Sequence, residues 1–89
     1  YCAIPSEARR PDDLDRAARW TAERLEQIGA STRVIRVEGA PPLVVGEIGA
    51  SDGPVINLVQ HYDVQPAGDH GGWTSPPYAP ELRDGRRRV

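Results

Sequence analysis

The five residues Val55-Ile56-Asn57-Leu58-Val59 constrain this chain more than any others. They follow the turn signals Asp52-Gly53 and Gly53-Pro54 and are apolar at four positions without alternation. A run that is apolar on both faces does not belong at the edge of a half-solvated sheet, so it predicts a buried central strand. Such a strand needs neighbours, and two earlier segments offer themselves. Residues 32–38 alternate partly between apolar and polar, Gly39-Ala40-Pro41-Pro42 breaks them, and Leu43-Val44-Val45-Gly46-Glu47-Ile48 follows. Two strands, antiparallel neighbours, are expected there.

A helix is expected from Pro11. Leu14, Ala17, Ala18, Thr21, Leu25 and Ile28 recur at steps of three and four, Asp12 and Asp13 offer a cap and favourable charge at the start, and Gly29 stands where a helix ends. Trp20 falls beside the centre of that stripe. Arg16, Arg19, Glu23, Arg24 and Glu26 take the opposite face, as in a helix laid on one side of a sheet. The fold class that results is α/β, with one amino-terminal helix packed on a mixed sheet of about three strands. Beyond Gln60, the prolines at 66, 76, 77 and 80 and the glycines at 68, 71 and 72 exclude any long regular element.

Length and composition bound the rest. A globule of 89 residues hides only about 60% of the surface of its unfolded chain, so its stability alone is marginal. Nine Gly, nine Pro and an apolar fraction of 38% describe a loop-rich globular piece. All eleven basic residues are Arg, and the net charge of −2 comes from mixed signs, which gives no field suited to nucleic acid or membrane. The Arg86-Arg87-Arg88 run reads as solvated. One cysteine, Cys2, excludes an internal disulfide and reads as a partly buried thiol. With no apolar run of membrane-spanning length and no leader pattern, a cytoplasmic location is expected. The chain opens on Tyr1 and closes on Arg86-Arg87-Arg88-Val89 without a helix stop or polar tail, and both ends read as cuts. Gly53 is a turn glycine, and no phosphate-loop pattern occurs.

His61 follows the apolar run, at the strand end where open α/β sheets hold ligands. Residues two apart in extended chain share a side, so Asp63 can reach the His61 ring and accept a proton from the nitrogen that faces away from a metal. That contact would fix the tautomer and strengthen the ligand. Alone, a His-x-Asp triplet fits a surface pair or an ordinary hydrogen bond better than a metal site. The other candidates read plainly: His70 as a solvent-exposed loop residue, Trp73 and Tyr78 as loop anchors, Asp69 and Glu81 as surface carboxylates.

The longer order of segments changes the balance. Ile4-Pro5-Ser6, the helix, Pro42 to Gly49, His61-Tyr62-Asp63-Val64-Gln65-Pro66, Gly68-Asp69 and Trp73-Thr74-Ser75-Pro76-Pro77 together resemble the co-catalytic zinc peptidase and deacylase family. That family includes carnosine dipeptidase, glutamate-releasing carboxypeptidase, acetylornithine deacetylase and succinyl-diaminopimelate desuccinylase, and the resemblance covers nearly the whole chain. Asp63-Val64-Gln65-Pro66-Ala67, with Trp73, Ser75-Pro76-Pro77, Pro80-Glu81 and Arg83-Asp84-Gly85-Arg86, is most similar to the dipeptidase branch.

The resemblance implies a zinc ligand at His61 and a catalytically essential supporting carboxylate at Asp63. It implies two zinc ions in the complete enzyme, a small peptide or N-acyl amino acid as substrate, and a homodimeric full-length parent. It also implies that residues 1–89 are an incomplete amino-terminal part of the catalytic, zinc-binding domain, without the smaller dimerisation domain. The bridging carboxylate, the general base and the other ligands would follow Val89, so these residues alone should bind zinc weakly or not at all and turn nothing over. The sequence departs from the family at Gln60, where Gly is usual, and at Arg87-Arg88-Val89, where a Gly-Arg-Gly turn leading to the bridging Asp would be expected. The competing readings are an N-acyl amino acid deacylase and a small binding module without chemistry.

Overall fold

The computed structural model describes residues 1–49 and 52–88, the last three as backbone only. Ala50 and Ser51, within the turn expected over 49–54, and the side chains of the Arg86-Arg87-Arg88 run lie outside that description. Helix α1 spans Pro11–Gln27, strand β1 Ser31–Ile35 and strand β2 Leu43–Glu47, followed by a short 3-10 turn at His70–Gly72 and a last hairpin of β3, Glu81–Arg83, and β4, Arg86–Arg88.

The helix forms where the apolar spacing places it. Leu14, Ala17, Ala18 and Ala22 are buried, while Ile28, expected on the same stripe, is 65% exposed because the helix has ended one residue earlier. Gly29 supplies the reversal with φ of 88°, a conformation that costs a side chain energy. At the other end the expected cap is not made. Arg10 occupies the cap position without a side-chain bond, and Pro11 starts the helix with its fixed φ. Asp13 is instead nearly buried and held by Arg10 Nε at 2.7 Å and Arg16 Nη1 at 2.8 Å. Trp20 carries a tilted stack with Tyr1, centroids 5.4 Å apart, and the Arg24 guanidinium lies 5.1 Å over its ring.

Strands β1 and β2 pair antiparallel, Ser31 opposite Glu47 and Ile35 opposite Leu43. Thr32 and Gly46 face each other, as do Val34 and Val44, and this side meets α1: a Cβ on Gly46 would lie 2.9 Å from Leu25 Cδ1. The close approach explains why glycine stands in a strand. Arg36, just past β1, bonds Asp15 on the helix, and its guanidinium holds that carboxyl below the usual carboxylate range. The helix on a sheet and the α/β class stand as expected.

Two features differ. Residues 55–60 form no ladder with any described segment, and Val55, Ile56, Leu58 and Val59 are 83–93% exposed. A strand takes every ladder bond from its neighbours, and here β1 and β2 pair only with each other, so the apolar run finds none. The second difference is the β3–β4 hairpin in the proline-rich half. Asp84 and Gly85 both have positive φ, 50° and 70°, which is the two-residue Asp-Gly turn that matches strand twist. Cys2 is exposed, not part-buried, in the turn that Ile4 N closes by donating to Tyr1 O at 2.8 Å. Among the described residues, no helix is long and apolar enough to cross a membrane.

Candidate metal-binding site

His61 and Asp63 sit outside any helix or ladder, directly after the uncovered run. The segment is held not by a sheet but by the amino terminus. Val64 N donates to Ser6 O at 2.9 Å and forms a parallel bridge between Glu7 and Val64. Ser6 Oγ donates to Tyr62 O at 2.8 Å, the Tyr1 hydroxyl reaches the same carbonyl, and the Tyr62 hydroxyl donates to Pro42 O. Burial pushes the Tyr62 hydroxyl above its ordinary pKa, with the charges of Tyr1 and Asp63 adding to it.

Within this frame His61 Nδ1 lies 3.2 Å from Asp63 Oδ1 and 3.0 Å from Asp63 O. The two side chains therefore share one side, as their spacing predicts, although residues 55–60 before them form no strand and His61 does not stand at a strand end. Asp63 offers only acceptors, so a neutral His61 places its proton on Nδ1 and leaves the Nε2 lone pair open. The His61 side chain is 77% exposed, so that lone pair can meet an ion from solvent. A histidine whose Nδ1 is held by a carboxylate in this way has Nε2 available to a metal ion.

The donor set is partial. No group of three or more His, Cys, Asp or Glu able to hold a metal occurs among the described residues. Catalytic zinc ordinarily takes three protein ligands and a water. His61 with Asp63 fits one of those three positions together with its orienting partner, and no more.

Downstream residues brace the same loop. Ala67 N donates to Glu7 Oε1 at 3.4 Å, the Tyr78 hydroxyl donates to the same oxygen, and Trp73 Nε1 donates to Ala67 O at 3.0 Å. The Tyr78 bond holds the Glu7 carboxyl below its usual range, and the same bond raises the Tyr78 hydroxyl. Trp73 and Tyr78 are thus loop anchors, as expected, and they also line a largely apolar groove of about 380 Å³ with Tyr1, Ile4, Val64 and Pro66. His70 is exposed, and the Asp69 carboxylate accepts from Gly71 N at 2.9 Å within its own turn. Sequence reasoning missed Ser6 and Glu7 as the residues that hold the loop. The local signal was Pro5, which biases Ile4 to extended backbone, but nothing in the sequence shows what the following residues will pair with.

Comparison with known proteins finds amide-cleaving enzymes. The chain is 37% identical over 76 residues to the cysteinylglycine-S-conjugate dipeptidase of Corynebacterium striatum, which is 84% of this chain and 17% of that enzyme. It is 40% identical over 63 residues to the succinyl-diaminopimelate desuccinylase of Dechloromonas aromatica, 71% of this chain and 16% of the relative. The desuccinylase of Burkholderia ambifaria is 36% identical over 78 residues, 85% of this chain and 20% of its own length. The relatives are hydrolases, peptidase and deacylase alike, and the chain spans between a sixth and a fifth of their length. No family model and no solved structure matches.

Proposed function

We propose that residues 1–89 form part of the metal-binding domain of a zinc-dependent hydrolase that cleaves the amide bond of dipeptides or related N-acyl amino acids. The observation that carries this reading is the His61–Asp63 contact, with Nδ1 engaged and Nε2 open, in a chain similar to a dipeptidase over most of its length. His61 Nε2 is the zinc ligand. Asp63 keeps the proton on Nδ1, fixes the ring's rotation and raises its donor strength. Bound zinc would polarise the scissile carbonyl and bring the pKa of a bound water toward about 7.

The further ligands and the general base come from outside these residues, so residues 1–89 by themselves should bind zinc weakly and hydrolyse nothing. A deacylase acting on N-succinyl amino acids is the second reading, favoured by the similarity to desuccinylases. Assay of the full-length protein on cysteinylglycine and other dipeptides, against N-succinyl and N-acetyl amino acids, separates the two. The proposal predicts turnover of the dipeptides that a chelator abolishes and zinc restores. Turnover of the acyl amino acids alone would select the second reading, and no chelator-sensitive amide hydrolysis at all would refute both.

A further inference from the structure

Ser6 is the one polar side chain among the described residues with no accessible surface. Burying a hydroxyl in so thin a globule costs energy unless its bonds are made, and Ser6 Oγ has two partners, the Tyr1 hydroxyl at 3.2 Å and the Tyr62 carbonyl. Its Oγ donates to Tyr62 O at 2.8 Å and its own carbonyl accepts from Val64 N at 2.9 Å. These bonds hold the peptide groups on either side of Asp63. Asp63 in turn contacts His61 Nδ1 through both its backbone oxygen and its carboxylate, at 3.0 and 3.2 Å. Rotation of the peptide after Asp63 would swing its backbone oxygen away from the ring, and a change in the backbone angles of Asp63, which the two bonds restrain, would move the carboxylate as well. Most of this loop is solvent-exposed, and beyond the Glu7–Val64 bridge no ladder among the described residues supports it.

We propose that Ser6 is a positioning residue for the His61–Asp63 pair: by holding the peptides before and after Asp63 it sets which His61 nitrogen carries the proton. Its value for catalysis rests on the metal reading of that pair given above. The Tyr1 hydroxyl also reaches Tyr62 O, so removing the Ser6 hydroxyl leaves that carbonyl with a partner but without the buried bond that fixes its direction.

The test is made on the full chain, labelled with 15N-histidine, free of metal and at about pH 8.5, above the ordinary imidazole range. Long-range proton–nitrogen spectra then report which ring nitrogen is protonated. His61 is expected in the Nδ1–H form in the native protein, predominantly in the Nε2–H form preferred by free imidazole in Ser6→Ala, and back in the Nδ1–H form in Ser6→Thr. His70 should not change in any variant, which separates positioning from general loosening. A His61 that keeps its Nδ1 proton in Ser6→Ala, with circular dichroism unchanged, would overturn the proposal. Should Ser6→Ala lose its helix, Ser6→Cys, of similar volume and much weaker donor strength, is read against the same two outcomes. The measurement needs no metal, so its failure removes the role of Ser6 alone, while failure of the full-length protein to bind zinc with the tautomer intact removes the metal reading alone.

Discussion

The histidine at 61 does what its neighbourhood allows. Asp63 takes the Nδ1 side, and Nε2 is left facing solvent. Asp63→Asn keeps the shape but replaces a carboxylate oxygen by a group that can donate, so zinc affinity of the full-length protein should fall by about 10 to 100-fold. Isothermal titration checks it; unchanged affinity would show that the carboxylate does not orient the ligand. A second residue-scale prediction concerns pH. Glu7 has a lowered pKa because the Tyr78 hydroxyl donates to it, so its contribution to loop docking is present above the ordinary value of 4.5 and is lost as pH falls through the lower folded value. Tyr78 is raised by the same bond, so its contribution is present below its ordinary 10.0 and is lost as pH rises through the higher folded value. Loop docking should therefore hold between those limits. Tyr78→Phe should move the Glu7 titration, followed by carbon NMR, upward toward its ordinary value; an unmoved Glu7 would mean that the bond is not made in solution. The His61–Asp63 contact was legible from spacing alone, since two residues in extended chain share a side. Ser6 and Glu7 were not, because both act through pairing with a segment nearly 60 residues away.

At the scale of elements, α1 and the β1–β2 hairpin are one unit. Leu14 is 3% exposed amid three buried alanines, and its replacement by Ala should cost about 2 to 5 kcal/mol, a large part of what so small a domain possesses. Gly46→Val should cost about 1 to 3 kcal/mol, since the new side chain would push into Leu25. Urea denaturation measures both, and a variant within error of the native chain would show that helix and hairpin do not pack as described. These elements were readable in the sequence because their signals are local: apolar steps of three and four, a terminal Gly29, a break at Gly39 and Pro41. The β3–β4 hairpin was obscured by the prolines before it, although Asp84-Gly85 between Arg83 and Arg86 carried the turn signal. The helix cap was misplaced because Asp13 satisfies two arginines instead of the free amides.

The molecule as a whole is more open than its length requires. Its radius of gyration is 15.9 Å, against about 12 Å for a compact chain of this size. Apolar surface is left uncovered on the outer side of the hairpin, where Ile35 and Leu43 lie opposite each other, and along residues 55–59. The sequence of that run describes a central strand, and what it lacks is neighbours, which a chain spanning 17% of its dipeptidase relative need not contain. In the full-length protein the amides of residues 55–59 are predicted to exchange with solvent slowly, and in residues 1–89 alone quickly. Equal and rapid exchange in both would mean that the run is not a strand of the complete sheet. The same covered strand would carry His61 to the sheet end, where the remaining ligands could meet it. The zinc content of the purified full-length protein, compared between the native chain and His61→Ala, therefore bears on the whole assignment. Bound zinc in the native protein, reduced in His61→Ala while the fold is kept, is the predicted result. Equal zinc in both, or none in either, would contradict the place of His61 in a metal site.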